Sequence, residues 1–530
     1  MGFAFTLAYI VLTIISPEQF GREWASYHVL LYLAGITALT SVPESVTQPY
    51  LKSSIQTYLL IGFVVAIGLS QVANNWFGGA IQSWLVFLPS AAVYFFIVAN
   101  VTTVRRLKIV ALAAVASCLV LVVEALCGYY LGFLGDTFVL KMGLYSNDQI
   151  VGQILRLRGV SFLSDPNDFA QMLLIALPLI FIAWRQGRPL ANSLSVLAPA
   201  ALLLWAVYLT HSRGALIALG VLGLAAARKR LGTTASLALA GVLAITLLAL
   251  DFTGGRGISA SEGADRLTAW ATGLELFKHS PIFGIGFGNF TDFNEITAHN
   301  SIVLCLAELG LVGATMWLAL FVTTTMGLNT LIAQRKGSTT ARNDREENSS
   351  TPAELDRTET VSDSFLNEDQ AVLFQDHAID HSGDEPYSGD EFVKVGRLGE
   401  QPSTENVEVE ALEASEEVLP FSAERFPTHE PTSVGDFEAR SEFASVHEPI
   451  VPDRLLEIMR LALIAFMTTS WFLSRTYVTT TYLVLGLGTA AIALDRSSTG
   501  RRYRGRWMPV TLGVEALVIV FIYFVVRFRH

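Results

Sequence analysis

The residues best suited to chemistry are a histidine and a few arginines scattered through an apolar chain. "AHNSIVLCLAELG" (298–310) sets His299 and Asn300 at the mouth of a hydrophobic run that also carries Glu308. An imidazole with an ordinary pKa near ~6.5 can take a proton from a hydroxyl at neutral pH. Arg213 lies in "THSRGALIAL" and Arg266 in "DRLTAW", with Arg156, Arg158 and Arg256 on other interhelical segments. A guanidinium pairs with phosphate oxygens in a planar, bidentate fashion. At the surface of a bilayer the available phosphates belong to lipids, polyprenyl diphosphates among them. Arginines at that height therefore suit a lipid phosphate.

Other readings of the same residues carry less. Glu295 and His299 are spaced for a shared metal but lack a third ligand, so no metal and no cofactor is expected. "GIGFGN" (284–289) follows no strand and sits in no βαβ unit, which argues against a nucleotide site. Ser212 adjoins His211, but neighbours in a chain rarely form a nucleophile–base pair. Glu308 is nine residues past His299, on roughly the opposite helix face and ~13 Å deeper. It reads as a buried acid paired with a neighbouring helix, and Glu124 reads likewise. Asn167, with Asp168 as its alternate, is the expected helix N-cap after Pro166.

These groups must be held by membrane-spanning helices. The 530 residues are 52% hydrophobic and 16% charged, with a mean hydropathy of +0.46. Apolar runs recur at lengths that cross a hydrocarbon core of ~30 Å. They fall near 3–15, 26–42, 55–74, 80–100, 107–127, 168–184, 193–211, 214–227, 236–250, 300–332, 455–472, 477–494 and 509–526. The expected fold is therefore an all-α polytopic bundle of about 12–13 transmembrane helices. The first run reads as a retained span, since neither a basic flank nor a cleavage site accompanies it. Gly214 is expected to permit the turn between the seventh and eighth runs, and the long 300–332 run is expected to be one tilted helix. Cys118, Cys127 and Cys305 lie in apolar runs and suggest no disulfide framework.

Basic clusters set the sidedness. Arg105–Arg106–Lys108, Arg185–Arg188, Arg228–Lys229–Arg230, Arg335–Lys336 and the 496–506 stretch are separated by even numbers of spans, so all can lie in the cytoplasm. The N-terminus is then inside, a thirteenth span puts the C-terminus outside, and segments 128–164 and 251–298 face outward. The net charge of −11 conceals a polarised chain. Residues 337–453 hold 29 acidic and 7 basic side chains, whereas the remainder is net basic. That insert is Ser-, Thr- and Pro-rich without sustained apolar periodicity, so a disordered cytoplasmic spacer is expected; a cytoplasmic protein partner is the alternative. The organisation reads as a bundle over 1–335 with a large outer loop at 251–298, an insert at 336–453, and C-terminal helices over 454–530. Nothing points to nucleic acid.

Four stretches in order carry a family resemblance: "RLRGVSFLSDPNDFAQMLLIALPL" (156–179), "THSRGALIAL" (210–219), "DRLTAWATGLELFKHSPIFGIGFGNF" (265–290) and "AHNSIVLCLAELGLVG" (298–313). They resemble the O-antigen ligase and O-antigen polymerase superfamily of bacterial envelope glycosyltransferases, although the acidic insert departs from its compact pattern. The resemblance implies a GT-C-like helical bundle in the bacterial inner membrane with a large periplasmic loop. It also implies a metal-independent, inverting transfer of a glycan from undecaprenyl diphosphate to an acceptor hydroxyl on a glycan, lipid or protein at the periplasmic face. Under it, His299 is the catalytic base, Arg213 and Arg266 hold the diphosphate, and Arg158 and Asn300 are further substrate contacts. A ligase and a repeat-unit polymerase share this donor chemistry. Loss of a ligase would leave full-length polymer unattached, whereas loss of a polymerase would leave single repeat units. A transporter or flippase is the rival from another class, disfavoured because the polar groups cluster at one interface instead of lining a path. A non-catalytic scaffold recruiting a partner through the insert is the third reading.

Overall fold

A computed structural model describes residues 1–16, 28–47, 54–146, 149–249, 260–350, 451–495 and 506–528. The helices are α1 (Gly2–Ile15), α2 (Val29–Thr47), α3 (Ile55–Ala73), α4 (Phe77–Asn100), α5 (Val104–Leu131), α6 (Pro166–Leu179), α7 (Ala198–Leu209), α8 (Arg213–Ala249), α9 (Ala260–His279), α10 (Ser301–Ser350), α11 (Asp453–Ser470), α12 (Thr479–Leu494) and α13 (Trp507–Arg527). An antiparallel hairpin, β1 (Val139–Ser146) and β2 (Gln149–Leu157), fills much of the segment expected outside, pairing Val139 with Leu157. The protein is an all-α polytopic membrane protein, with this one small sheet among the described residues.

By length and composition, seven of the described helices can cross a membrane, fewer than the twelve to thirteen expected. Gly2–Ile15, Val29–Pro43 and Thr479–Leu494 are apolar but shorter. Two expected runs share α8, whose helical path is interrupted at Gly232. The 455–472 run is α11, which carries Asp453, Arg454, Glu457 and Arg460 in its first turns. Helix α10 extends through Ser350. Residues 351–450, and the expected disorder of the insert with them, lie outside the described residues, as does Arg256.

Lipid tails are as apolar as leucine, so helices associate in a membrane through close packing and internal polar bonds. A Cβ placed on Gly488 would sit 2.7 Å from Thr324, and one on Gly486 would sit 3.3 Å from Tyr94, so glycine lets α12 approach α10 and α4 closely. Phe321 stacks on Phe466 at 5.4 Å between α10 and α11. Gln171 of α6 donates to the Thr469 and Ser470 hydroxyls of α11, at 2.7 and 3.3 Å. These contacts set the relative heights of the helices that carry the site.

The bundle has two chemically distinct ends. At one, Arg106 donates to the Asn100 carbonyl, Arg454 donates to the Phe181 carbonyl, and Arg335 pairs with Asp453 and Asp495. Lys108 and Arg185 line one cleft at that same end. At the other end lie the hairpin, the start of α6, the α7–α8 turn, α9, and the start of α10.

Candidate active site

His299 occupies the last turn before α10 with φ 46°, a left-handed conformation uncommon for a residue with a Cβ. The neighbouring residues hold it there. Asn300 is fully buried, and its side-chain oxygen accepts from the Ile302 and Val303 amides at 2.9 and 3.1 Å, capping the helix. Its amide nitrogen donates to the Trp471 carbonyl at 3.1 Å. Ser301 donates to the Leu473 carbonyl at 2.6 Å and accepts from the Arg475 amide at 2.8 Å. Thr476 donates to the Ser301 carbonyl at 2.8 Å, and Thr297 bonds Ser474. Trp270 of α9 donates to the Ala298 carbonyl at 3.0 Å. A continuous ladder of hydrogen bonds thus fastens 297–301 to the α11–α12 loop at 471–476.

The electrostatic surroundings follow from this ladder. His299 is half-buried, and burial holds its imidazole below the ordinary value of 6.5. The Arg266 guanidinium adds to that lowering, Asp165 opposes it, and Arg475 contributes further. Three charged groups from three separate segments therefore act on one ring. Arg475 forms an ion pair with the buried Asp168 on the first turn of α6. Arg213 begins α8, where a Cβ on the next residue, Gly214, would lie 3.1 Å from Phe472, so Arg213 borders the same 471–476 loop.

The remaining arginines have architectural partners. Arg156 is 4% exposed and bonds the Thr210 carbonyl at 2.9 Å and the Asn167 side chain at 3.1 Å, tying the hairpin to the ends of α7 and α6. Arg158 donates to the carbonyls of Thr137 and Asp136, at 2.9 and 2.7 Å. The two expected additional substrate contacts, Arg158 and Asn300, thus bind backbone groups of the protein itself. The cap of α6 is Asp165, which accepts from the Asn167 amide at 2.7 Å, and not Asn167 or Asp168. Pro166 at the first helical position fits that frame, because its missing N–H needs no partner. In the α7–α8 turn the positive φ falls on His211 (49°) and not on Gly214, which is helical and kept small by Phe472.

Glu308 departs from expectation in its partner. Its carboxylate accepts from the Phe290 amide at 3.2 Å and lies beside Gly288 and the Tyr477 hydroxyl, so it anchors a loop instead of a neighbouring helix. That loop, Pro281–Phe290, fits into a break in α10. Gly310 is non-helical (φ 64°, ψ −162°), which makes the expected single tilted helix two pieces. Ile285 and Gly286 donate to the Ala307 and Glu308 carbonyls, and Leu311 donates to Pro281. A Cβ on Gly284 would lie 2.2 Å from the Glu308 carbonyl carbon, and one on Gly310 would lie 2.4 Å from that of Ile282. The glycines of "GIGFGN" serve this backbone pairing, and the Glu308 carboxylate meets the amides that could otherwise cradle an anion. Gln71 of α3 and Asn74 just past its end brace the loop through the Phe287 and Gly284 carbonyls. Non-helical backbone at membrane depth is stable only when protein groups satisfy it in this way.

Sequence reasoning missed Arg475 and the ion-pairing role of Asp168. A lone arginine in the four residues between two apolar runs, "LSRT" (473–476), was the available signal. Among the described residues, no group of His, Cys, Asp and Glu is placed to hold a metal ion, and Cys118, Cys127 and Cys305 are free thiols. No curated protein matches the chain. Residues 198–318 match the family model described as O-antigen ligase, a span that begins at α7, contains Arg213, Arg266 and His299, and ends beyond the α10 break. Through that segment the chain is similar to the O-antigen ligase family, and its helices make it a multi-pass membrane protein.

Proposed function

We propose that this protein transfers a glycan from undecaprenyl diphosphate to an acceptor hydroxyl at the extracytoplasmic face of the bacterial inner membrane, by one inverting, metal-independent displacement. The observation that carries this reading is the placement of a half-buried imidazole beside Arg266 and the Asp168–Arg475 pair. They lie at the bundle end remote from the basic clusters, which positive-inside sidedness assigns to the cytoplasm. His299, held below its ordinary pKa, is neutral at physiological pH and accepts the acceptor's proton as its oxygen bonds the anomeric carbon. The bond from that carbon to the diphosphate oxygen breaks, and the lipid diphosphate leaves with the electron pair. Arg266 and Arg213, with Arg475 as a third cation, face the charge that accumulates there.

The test is cell-free transfer by the purified protein from a lipid-linked oligosaccharide, with EDTA present. Turnover should persist under chelation and vanish in His299→Asn, whose side chain tolerates the left-handed backbone. Turnover by that variant, or loss of turnover with EDTA alone, overturns the mechanism.

A further inference from the structure

At the basic end of the bundle, a cleft of about 790 Å³ opens between α6, α8 and α11. Its wall is mostly apolar, with Leu177, Phe181, Trp184, Leu222 and Leu461 among the lining residues, and Arg454 is the cation on it. Gly223 also lines the cleft, and a Cβ built there meets nothing within 4 Å, so the opening reaches the backbone of α8. Small-molecule sites commonly have this size and make-up, mostly apolar with a few placed polar groups.

We propose that this cleft binds an anionic phospholipid, with an acyl chain lodged between the three helices and its phosphate on Arg454. Arg454 is exposed. It donates to the Phe181 carbonyl at 3.0 Å and lies 5.9 Å from the Trp184 ring centre. A guanidinium has five N–H donors, so further donors remain for a phosphate oxygen. Trp184 also walls a second cleft, of about 380 Å³, lined by Lys108 and Arg185. Three cations thus gather around one tryptophan, the residue type that settles at headgroup level. Among the described residues lining the two clefts, none is acidic. Basic pockets between helices at the cytoplasmic side select anionic headgroups over zwitterionic ones. This inference uses no part of the catalytic reading, and either can fail alone.

The test uses the purified full-length chain in detergent, with retained lipid counted by native mass spectrometry after incubation with phosphatidylglycerol, phosphatidylcholine or undecaprenyl phosphate. Phosphatidylglycerol should be retained about tenfold more tightly than phosphatidylcholine. Arg454→Gln should bring the two together. Gly223→Leu, which fills open space and favours the helix, should reduce phosphatidylglycerol retention without lowering the melting temperature. Equal retention of the two phospholipids by the unaltered protein overturns the proposal. So does phosphatidylglycerol binding that neither variant changes, or Gly223→Leu displacing only undecaprenyl phosphate.

Discussion

Replacing Asn300 with alanine tests whether this residue touches substrate or positions His299. Two losses follow from its contacts. The Ile302 and Val303 amides lose their cap, which costs about 1 kcal/mol in typical helices. The Trp471 carbonyl loses its donor at a fully buried side chain, which costs about 1–3 kcal/mol. The sum of about 2–4 kcal/mol corresponds to roughly 30- to 1,000-fold more frequent local opening, at ~1.4 kcal/mol per tenfold. Hydrogen exchange of a peptide spanning 298–306, followed by mass spectrometry, reads that opening directly. Exchange should accelerate within this range, with kcat falling and donor KM little changed, because the imidazole loses its orientation. Asn300→Asp keeps the cap while setting a carboxylate against the Trp471 carbonyl, and it should give an intermediate result. Unchanged exchange together with a raised KM would refute the positioning role and restore Asn300 as a substrate contact.

The same contacts give four further outcomes. Transfer should be lost as pH falls through the His299 pKa, which lies below 6.5; the proton-accepting form prevails above that value. Arg266→Gln removes one cause of the lowering, so the acid limb of the pH profile should move upward, and an unmoved limb contradicts the pairing. Arg475→Ala leaves the Asp168 carboxylate buried without its partner, a loss of about 3 kcal/mol measurable by thermal unfolding. The double variant Asp168→Asn/Arg475→Gln should regain stability but not transfer, and recovery of transfer would make the pair purely architectural. Gly284→Ala or Gly310→Ala forces a Cβ against backbone atoms at a positive φ, so folded protein should fall sharply in fluorescence-detected gel filtration. Normal yield would mean the loop and the broken helix can part.

The helical, membrane-embedded character of the chain was legible because the bilayer demands long apolar runs, and such runs cannot hide in a sequence. The basic clusters likewise marked one end of the bundle, since charge asymmetry between loops survives without any knowledge of packing. His299 and Arg213 could be singled out as polar residues at the edges of apolar runs, and Arg266 as an arginine on a segment expected to face outward. Their neighbours could not be ranked this way. Arg158, Arg475 and Asn300 look alike as polar residues beside spans, yet Arg158 bonds the Thr137 and Asp136 carbonyls, Asn300 caps α10, and Arg475 pairs with Asp168 from a distant helix.

Hydropathy also passed over the break in α10. "LAELGLVG" is apolar apart from Glu308, and the partner of the broken turn is the 281–290 loop, supplied by chain that precedes His299. Local composition, then, carried the apolar helical character of the chain and the charge asymmetry between its segments, because both sum along the chain without reference to packing. Only the tertiary structure decided what His299 meets, because the ladder from 297–301 to 471–476 joins residues about 170 positions apart, and no periodicity within either segment encodes the other.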